Sequence, residues 1–459
     1  MKSNHIQHLY WRVGFGILPN ELEKFSKKSK KKIVDDIIET SQKVTPLKVD
    51  TAELDELLSG SYEKTKENIK KFQKLSREKT KELNIAWIDR LSNSNQILRE
   101  KMTLFWANHF VCEDNNYVYT QNFHNRLREH ALGNFKDFVK AISKEAAMTK
   151  YLNTKQNKKQ KPNENFAREL MELFTLGVGN YTENDIKESA KAFTGYSHNL
   201  KGEFVFKKRV HDETDKIFFG KTGNFDGDDI VDLILEKREC ATFICTKIYS
   251  YFVNDTINEQ HVNEMANVFY KDYNIENLMR YMMLADWFYD DENMGTKIKS
   301  PIELLVGLKT VVPVDFKSSK QLFNLQKLLG QVLLNPPNVA GWKGGRSWID
   351  SNTITLRLKL PSIILNNAYI SKVKAGKTDE SILKSKQAFK KKYGQRFKTE
   401  TNWAVFDTHF SDVSMTDLDK HLLACAISSH ASTYLNSLSK VSKREYCIQL
   451  MSLPEYQMC

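Results

Sequence analysis

The stretch from Pro162 to Gly177 constrains the fold most, because its apolar residues recur at steps of three and four. Such spacing predicts an amphipathic helix with one buried side. Pro162 stands just before the expected start, and Asn163 can cap the first free N–H groups. Glycine adopts a left-handed C-terminal conformation without steric cost, so Gly177 is expected to end the helix. The apolar positions are Phe166, Ala167, Leu170, Met171, Leu173 and Phe174.

The opposite face of this predicted helix is polar, since Asn165, Arg168, Glu169 and Glu172 fall together on a helical wheel. Two carboxylates, a guanidinium and an amide can bind a metal, position a substrate or perform acid–base chemistry. A charged outer face is also what any amphipathic helix presents to solvent. Spacing alone favours the solvated face over a site.

Helical spacing recurs along most of the chain and predicts a mainly α protein, a multi-helix globular body. Alternation over Gly202–Lys207 predicts one short β-hairpin near residues 196–211. The expected organisation is a main helical body over residues 1–371, which includes a charged helical arm at about 43–95, then a basic linker or insertion over 372–405, and C-terminal helices over 406–459 that pack back on the body.

The charge balance of the 459-residue chain argues against nucleic acid as a partner. The formal net charge is +12, and 55 lysines against 14 arginines carry the excess. Lysine is the poorer residue for bidentate recognition of phosphates and bases. The basic excess is therefore interpreted as a compositional bias of the source.

Cysteine usage and hydropathy predict a soluble cytoplasmic protein. The six cysteines form no CxxC pair and fit no common zinc spacing. Reduced thiols in a reducing compartment are the expected state. The start of the chain lacks the apolar run and cleavage site of a secretory signal, and no stretch approaches the roughly 18 apolar residues of a membrane span.

His109 is a further candidate, because it lies one helical turn after Trp106 on the same face of a predicted helix. In one interpretation it is a general base or a metal ligand. In the other it is a core histidine that is hydrogen-bonded to a carbonyl group. The spacing favours the second interpretation.

Two loops complete the set of candidate sites. His211 and Asp212 are adjacent on a loop that follows the predicted hairpin, and such a pair is a fair but weak indication of a site. The loop that contains Asn338, Trp342 and Arg346 is rich in proline, glycine and tryptophan. Large aromatic side chains in such a loop need a wall to pack on. A plug that closes the core and a surface for a substrate or partner remain equal alternatives.

Several of these stretches, in this order, resemble the bacterial family known as domain of unknown function 1800, over nearly the full length. The residues that carry the resemblance are His8-Leu9 through Arg12, Phe15-Gly16, Trp106 with His109-Phe110, Pro162-Asn163-Glu164-Asn165 through Gly177, Tyr181-Thr182, Thr194-Gly195, His211-Asp212, Lys299-Ser300-Pro301, Pro336-Pro337-Asn338-Val339 with Gly341-Trp342, Arg357 and Pro454-Glu455.

The resemblance implies a large, mostly helical protein without an established activity. It also implies a working partner, because members of this family are often encoded beside a second family that is similar to sulfatases. The lysine-rich composition, with basic inserts near residues 27–32 and 155–161, departs from the family. Since the polar residues lie in signature stretches, the solvated face and the site become equal alternatives for the 163–177 helix.

Two hypotheses for the function follow. The first is a soluble binding or accessory protein with a polar cleft on the 163–177 helix, possible partners including a sulfatase-like protein. The second is a hydrolase or lyase, which requires a histidine to reach a glutamate in an open pocket. The candidate catalytic residues are Glu169, Glu172, His109 and His211, and the candidate binding residues are Asn165, Arg168, Asp212, Asn338, Trp342 and Arg346. The sequence assigns no metal ligands and leaves the cofactor unknown.

Overall fold

The computed structural model describes residues 1–58, 65–366, 397–438 and 441–459. These residues form a mainly α structure with a few short two-stranded antiparallel sheets, which confirms the predicted fold class. The α-helices of the first half are α1 (Ser3–Val13), α2 (Pro19–Ser26), α3 (Lys30–Gln42), α4 (Ala52–Leu58), α5 (Lys66–Asn93), α6 (Ile97–His109), α7 (Tyr117–His130), α8 (Phe135–Lys144), α9 (Ala146–Tyr151), α10 (Asn165–Glu169) and α11 (Glu183–Ala192).

The remaining α-helices are α12 (Gly227–Leu235), α13 (Arg238–Phe252), α14 (Glu259–Phe269), α15 (Ile275–Leu284), α16 (Pro301–Val311), α17 (Ser319–Leu329), α18 (Thr353–Leu365), α19 (Trp403–His409), α20 (Leu418–Leu422), α21 (Ser429–Ser437) and α22 (Lys443–Met451). A π-helical segment, Leu170–Thr175, follows α10 directly. Within the described ranges, no helix is both long and apolar enough to span a bilayer.

The chain divides into two compact units. The central unit contains Lys30–Phe288 and Leu333–Trp342, and the terminal unit contains Met1–Ser29, Tyr289–Val332 and Lys343–Cys459. The sequence-based domain boundaries stay a prediction, since most of the 372–405 linker falls on residues 367–396, outside the described residues. The described end of that range contains a strand, Thr399–Thr401, and the start of α19.

Three antiparallel strand pairs accompany the helices. The predicted hairpin near residues 196–211 is formed by β1 and β2, with Ser197 opposite Val205. The sequence did not single out the other two pairs, whose strands are only three residues long. The strands are β1 (Tyr196–His198), β2 (Phe204–Phe206), β3 (Lys216–Phe218), β4 (Lys221–Gly223), β5 (Val314–Phe316) and β6 (Thr399–Thr401).

α6 lies at the core of the central unit. Trp106 on this helix is fully buried, and its indole packs edge-on against Phe138 at 5.3 Å. The same helix carries Glu100, which accepts hydrogen bonds from Arg128 of α7 at 2.7 and 3.1 Å. The Trp87 indole of α5 donates a third hydrogen bond to this carboxylate at 3.2 Å. A buried charge is costly unless it is paired, and here both partners are almost fully enclosed.

The charged arm predicted at about 43–95 contains α5, which is buried along its C-terminal half. Leu83, Trp87 and Leu91 are at most 4% exposed, whereas Ile69 near the start of the helix is 42% exposed. The apolar spacing of α5 therefore predicts its buried side correctly where the helix packs on α7, and overstates burial in the first two turns.

Helix starts follow the local capping chemistry. At α11, the Thr182 hydroxyl accepts a hydrogen bond from the Asp185 backbone N–H at 3.2 Å, and the Asp185 carboxylate accepts one from Thr182 N–H at 2.8 Å. This reciprocal arrangement is the capping box that the sequence Thr182 to Asp185 predicts. The capping box sets the start of α11 at Glu183, the residue that contacts Arg168 of α10.

Candidate functional site

The signature stretch continues from α10 into the π-helical segment, so it is not one regular α-helix. The Thr175 hydroxyl donates to the Leu170 carbonyl at 2.5 Å, and the amides of Leu176 and Gly177 both donate to the Met171 carbonyl. Segments of π-helix are rare and are frequently found at functional sites. Gly177 then takes the left-handed conformation, with φ of 78°. The helix and its glycine end are confirmed, and the π geometry is new.

The π turn changes which apolar residues are buried. Phe166, Leu170, Met171 and Phe174 are at most 2% exposed, as their spacing predicts. Leu173, which the α-helical wheel places in the same stripe, is only half-buried. More residues fit into each turn of a π-helix than of an α-helix, so the angular position of Leu173 moves away from the core.

His109 is buried against this segment. Its Nε2 atom lies 3.0 Å from the Phe174 carbonyl oxygen. A carbonyl oxygen only accepts, so Nε2 carries the proton and donates it to a group that has no helical partner near the end of the segment. The pKa of His109 is lowered to about 3, chiefly by burial; the hydrogen bond to Phe174 opposes this shift, and the charge of Lys247 adds to it. The ring is therefore neutral at physiological pH.

Arg168 on the polar face holds two carboxylates. It donates to both oxygens of Glu183 on α11, at 2.8 and 3.0 Å, and to Glu164 at 3.1 Å. The hydrogen bond with Glu183 is the main reason that the pKa of Arg168 is raised and that of Glu183 is lowered. The guanidinium thus bridges two helices instead of pairing with Glu172 one turn along.

Glu169 and Glu172 are the carboxylates left on this face. Glu172 accepts a hydrogen bond of 3.0 Å from the Tyr181 hydroxyl, and burial together with this bond raises the pKa of Tyr181 to about 12. Glu169 is half-buried, and none of the described residues forms a hydrogen bond or ion pair with its carboxylate. Burial raises the pKa of Glu169, and the charge of Glu172 raises it further.

Tyr151, at the end of α9, lies near the helix and near the residues that follow α6. Burial raises the pKa of Tyr151, and the charges of Glu113 and Glu169 add to the effect. Glu113 is exposed, and its pKa is raised by partial desolvation and then by the charge of Asp114. We call the set of Glu113, Tyr151, Glu169, Glu172 and Tyr181 the carboxylate surface.

The Pro-Pro-Asn loop of the central unit packs against the end of α6. Asn108 pairs with the Trp342 backbone in both directions, since its amide donates at 3.1 Å and its oxygen accepts at 2.7 Å. Asn335 donates to Glu113 at 3.1 Å, which brings the start of the loop to the carboxylate surface. Gly341 has a φ of 74° and lies so close to Asn108 that a Cβ atom would collide with it.

The remaining loop candidates differ in setting. Asn338 is exposed and its side chain accepts from the Ala340 N–H at 2.9 Å, which is a local turn contact. Trp342 is 9% exposed and belongs to the central unit. Arg346 is exposed on the short 3-10 helix Gly345–Trp348 of the terminal unit. Of these three, Trp342 is the one that the described contacts connect to α6.

His211 and Asp212 form a separate cluster with their own partners. The His211 Nδ1 atom lies 2.9 Å from the Thr194 carbonyl oxygen. Asp212 accepts from the Thr214 N–H at 2.9 Å and from its hydroxyl at 2.5 Å. Burial acts to raise the pKa of Asp212, but these hydrogen bonds and the charge of Lys216 outweigh it and lower the pKa. The loop is closed by its own hydrogen bonds.

The described residues show no direct hydrogen bond between a candidate histidine and a candidate glutamate. His109 and His211 both contact backbone carbonyl groups, and neither is hydrogen-bonded to Glu169 or Glu172. A groove of about 500 Å³ lies beside Leu176 and Val178, at the end of the signature helix and not on its polar face. The catalytic and binding roles of these residues stay predictions.

Sequence reasoning missed four residues of this region: Glu113, Tyr151, Tyr181 and Glu183. Tyr181 lies in a signature stretch, which was the available signal. Glu183 lies within the Thr182–Asp185 capping box, which predicts a helix start but not the contact with Arg168. No local pattern marks Glu113 or Tyr151. Among the described residues, no group of three or more His, Cys, Asp or Glu side chains is arranged to hold a metal ion.

The terminal unit contains a second group of buried signature residues. The Lys299 ammonium donates to the Tyr456 carbonyl at 2.8 Å and lies 3.6 Å from the centre of the Trp11 ring. Burial lowers the pKa of Lys299 to about 7. Arg357 donates to the Lys299 carbonyl at 2.6 Å and to Gln457 at 3.0 Å. These contacts join α1, α18 and the C-terminal end of the chain within this unit.

The fold and the signature contacts define a mainly helical protein whose signature residues form contacts within each of its two compact units. The family described as "Protein of unknown function (DUF1800)" matches residues 8–458, and the chain belongs to this family. Neither a curated protein nor a solved structure matches the chain.

Proposed function

We propose that this member of the family is a binding or accessory protein whose partner contacts the carboxylate surface. The observation that carries the proposal is the state of Glu169: its carboxylate is half-buried and makes no hydrogen bond or ion pair within the described residues. A partly desolvated charge is costly without a partner. A basic or hydroxyl-rich segment of another molecule would provide that partner.

The environment of Glu169 supports a partner of positive charge. Glu113 and Glu169 both raise the pKa of Tyr151, and Glu172 raises the pKa of Glu169. The three carboxylates therefore act on one another's surroundings. The nearest cation on the helix, Arg168, is already engaged by Glu164 and Glu183. The charge of Arg168 still lowers the pKa of Glu169, but none of the three carboxylates forms an ion pair within the described residues, so an incoming lysine or arginine could pair with them.

The partner we propose is the sulfatase-like protein that family members are often encoded beside. This assignment rests on the family resemblance and not on a contact. We place the interaction in the cytoplasm, with support from the six free cysteines, five of which are buried thiols.

The alternative, a hydrolase or lyase, has one specific observation in its favour. Glu169 and Glu172 are neighbouring carboxylates, and the pKa of Glu169 is raised by burial and by Glu172. Carboxyl groups whose environments push their pKa values apart are typical of acid–base pairs. The acid role of His109 gains no such support, because a ring with a pKa of about 3 is not protonated at neutral pH.

The test is a pull-down of the sulfatase-like neighbour by tagged protein, in three forms. Wild type is expected to retain the neighbour, and the double variant Glu169→Gln/Glu172→Gln is expected to lose it. Glu259→Gln, an exposed carboxylate on α14, is the matched control and should behave as wild type. Equal retention by all three forms, or no retention by wild type, would rule out this surface as the site for that partner.

A further inference from the structure

We propose that a second surface of the central unit binds anionic membrane surfaces. This surface, the hairpin patch, consists of the β1–β2 hairpin with residues 199–210 and the neighbouring loop 155–161. It is distinct from the carboxylate surface, and the proposal does not depend on the function proposed above. The argument rests on exposed apolar side chains, on the surplus of basic residues around them, and on the contacts that fix both.

The hairpin exposes apolar side chains that a folded protein would ordinarily bury. Leu200 in the turn is 66% exposed, and the three residues of β2 follow it with Phe204 at 37%, Val205 at 36% and Phe206 at 43%. Successive side chains of a strand point to opposite faces, so Phe204 and Phe206 share one face of β2 and Val205 lies on the other. Exposed apolar residues with a polar surround mark a binding surface for a protein or a membrane.

Hydrogen bonds order the backbone of the turn, and ring packing holds Phe204 and Phe206. The Asn199 side-chain oxygen accepts from the N–H groups of Lys201 and Glu203, at 2.9 and 3.0 Å. Gly202 takes a φ of 83° and donates its N–H to the Asn199 carbonyl. Phe204 and Phe206 both pack edge-on against Tyr196 of β1. Inserting a preformed apolar tip costs little ordering entropy.

Basic residues outnumber carboxylates in the two segments of the hairpin patch. Residues 155–161 and 199–210 contain eight lysines and arginines and one carboxylate, Glu203. The loop is attached to the hairpin: Lys159 N–H donates to the Val210 carbonyl at 2.9 Å, and the Lys155 ammonium lies 3.2 Å from His198 on β1. The loop therefore lies beside the base of the hairpin, and its lysines add to the basic residues of the hairpin itself.

Exposed apolar side chains on a segment rich in lysine and arginine suit the interface of an anionic bilayer. The apolar groups enter the boundary between headgroups and acyl chains, while the cations remain at the level of the lipid phosphates. An acidic protein would satisfy the charges as well. The membrane is favoured because Leu200, the most exposed of the apolar groups, is at the tip of the turn, where it can enter a fluid surface without a preformed pocket in a partner.

The test is co-sedimentation of the full chain with vesicles of phosphatidylcholine alone and of phosphatidylcholine mixed with phosphatidylglycerol. We expect binding to the mixed vesicles, with loss of binding at high salt. The charge-reversal variant Lys158→Glu/Lys159→Glu should reduce the partition coefficient by at least tenfold, since each basic residue near an anionic surface contributes roughly fivefold. Leu200→Ser/Val205→Thr should also reduce it, through the apolar contribution.

The matched control is Lys70→Glu/Lys74→Glu, which makes the same change in net charge on exposed positions of α5. It should retain most of the wild-type binding. Thermal melting of each variant checks that it is folded. The proposal is overturned if the wild type does not sediment with the mixed vesicles, or if the two lysine pairs have equal effects. Retention on immobilised polyglutamate without vesicle binding would instead assign the patch to an acidic polypeptide, and would equally overturn it.

Discussion

The Nε2 atom of His109 donates a hydrogen bond of 3.0 Å to the carbonyl oxygen of Phe174, which lies in the π-helical segment of the signature stretch. This contact joins two family signatures that are 65 residues apart in the chain. It also fixes the tautomer of the ring, and burial keeps the ring neutral at neutral pH. The polar side of the same helix carries the carboxylates of Glu169 and Glu172 and the guanidinium of Arg168.

The buried imidazole predicts a specific loss of stability in acid. The pKa of His109 is about 3 in the folded protein, against 6.5 for an unperturbed histidine, so the unfolded chain binds the additional proton between these pH values. Stability present above pH 6.5 should therefore be lost as the pH falls toward 3, by up to about 1.4 kcal/mol per pH unit. His109→Gln can still donate to Phe174 but does not titrate, so urea unfolding should give it a flatter pH dependence. An unchanged pH dependence would place the histidine in a solvated environment.

The buried Lys299 ammonium of the terminal unit predicts how stability depends on pH above neutrality. Its folded-state pKa is lowered to about 7 from 10.5, so the unfolded chain holds a proton that the folded chain has released between these values. Stability should rise with pH across this window, by up to about 1.4 kcal/mol per pH unit. Lys299→Met should lack this rise in urea unfolding at pH 7, 8 and 9. Parallel curves for the two proteins would contradict a lowered pKa.

The pairing of Asn108 with the Trp342 backbone predicts a large cost for a small substitution. Asn108→Ala removes both hydrogen bonds and leaves backbone groups of a nearly buried residue without partners. The expected loss is about 1–3 kcal/mol in the free energy of unfolding. Asn338→Ala on the same loop removes only an exposed turn contact and should cost less than about 1 kcal/mol. Similar losses for the two variants would show that Asn108 does not anchor the loop.

The Arg168 clamp predicts a small effect on stability, in contrast to its prominence in the signature. The guanidinium is 35% exposed and its partner Glu183 is 67% exposed, so solvent screens the ion pair. Arg168→Gln should lower the free energy of unfolding by less than about 1 kcal/mol. Thermal and urea unfolding measure this directly. A loss of several kcal/mol in the free energy of unfolding would show that Arg168 has a stabilising role.

Local patterns predicted the mainly α fold well because they depend on short-range chemistry. The apolar spacing of Phe166, Leu170 and Phe174 identified the buried side of the signature helix, and the Thr182–Asp185 capping box identified the start of α11. The alternation around β2 identified the hairpin. Each of these patterns lies within a few residues of the helix or strand that it predicts.

The candidate site was predicted less well, because its contacts join distant parts of the chain. Arg168 meets Glu183 on another helix, and Glu113 meets Asn335 from a loop 222 residues away. The π turn at Leu170 likewise depends on Thr175 bonding back across five residues, which an α-helical wheel does not anticipate. Spacing within one helix cannot reveal which of its charges are already paired.

The most direct measurement of the central claim is the dissociation constant between this protein and the sulfatase-like neighbour, by isothermal titration calorimetry. Binding through the carboxylate surface predicts that Glu169→Gln/Glu172→Gln weakens the affinity at least about tenfold, since a desolvated charge contact contributes more than about 1.4 kcal/mol. Glu259→Gln should leave the affinity unchanged. Equal dissociation constants for all three proteins, or the absence of binding heat with wild type, would contradict the claim.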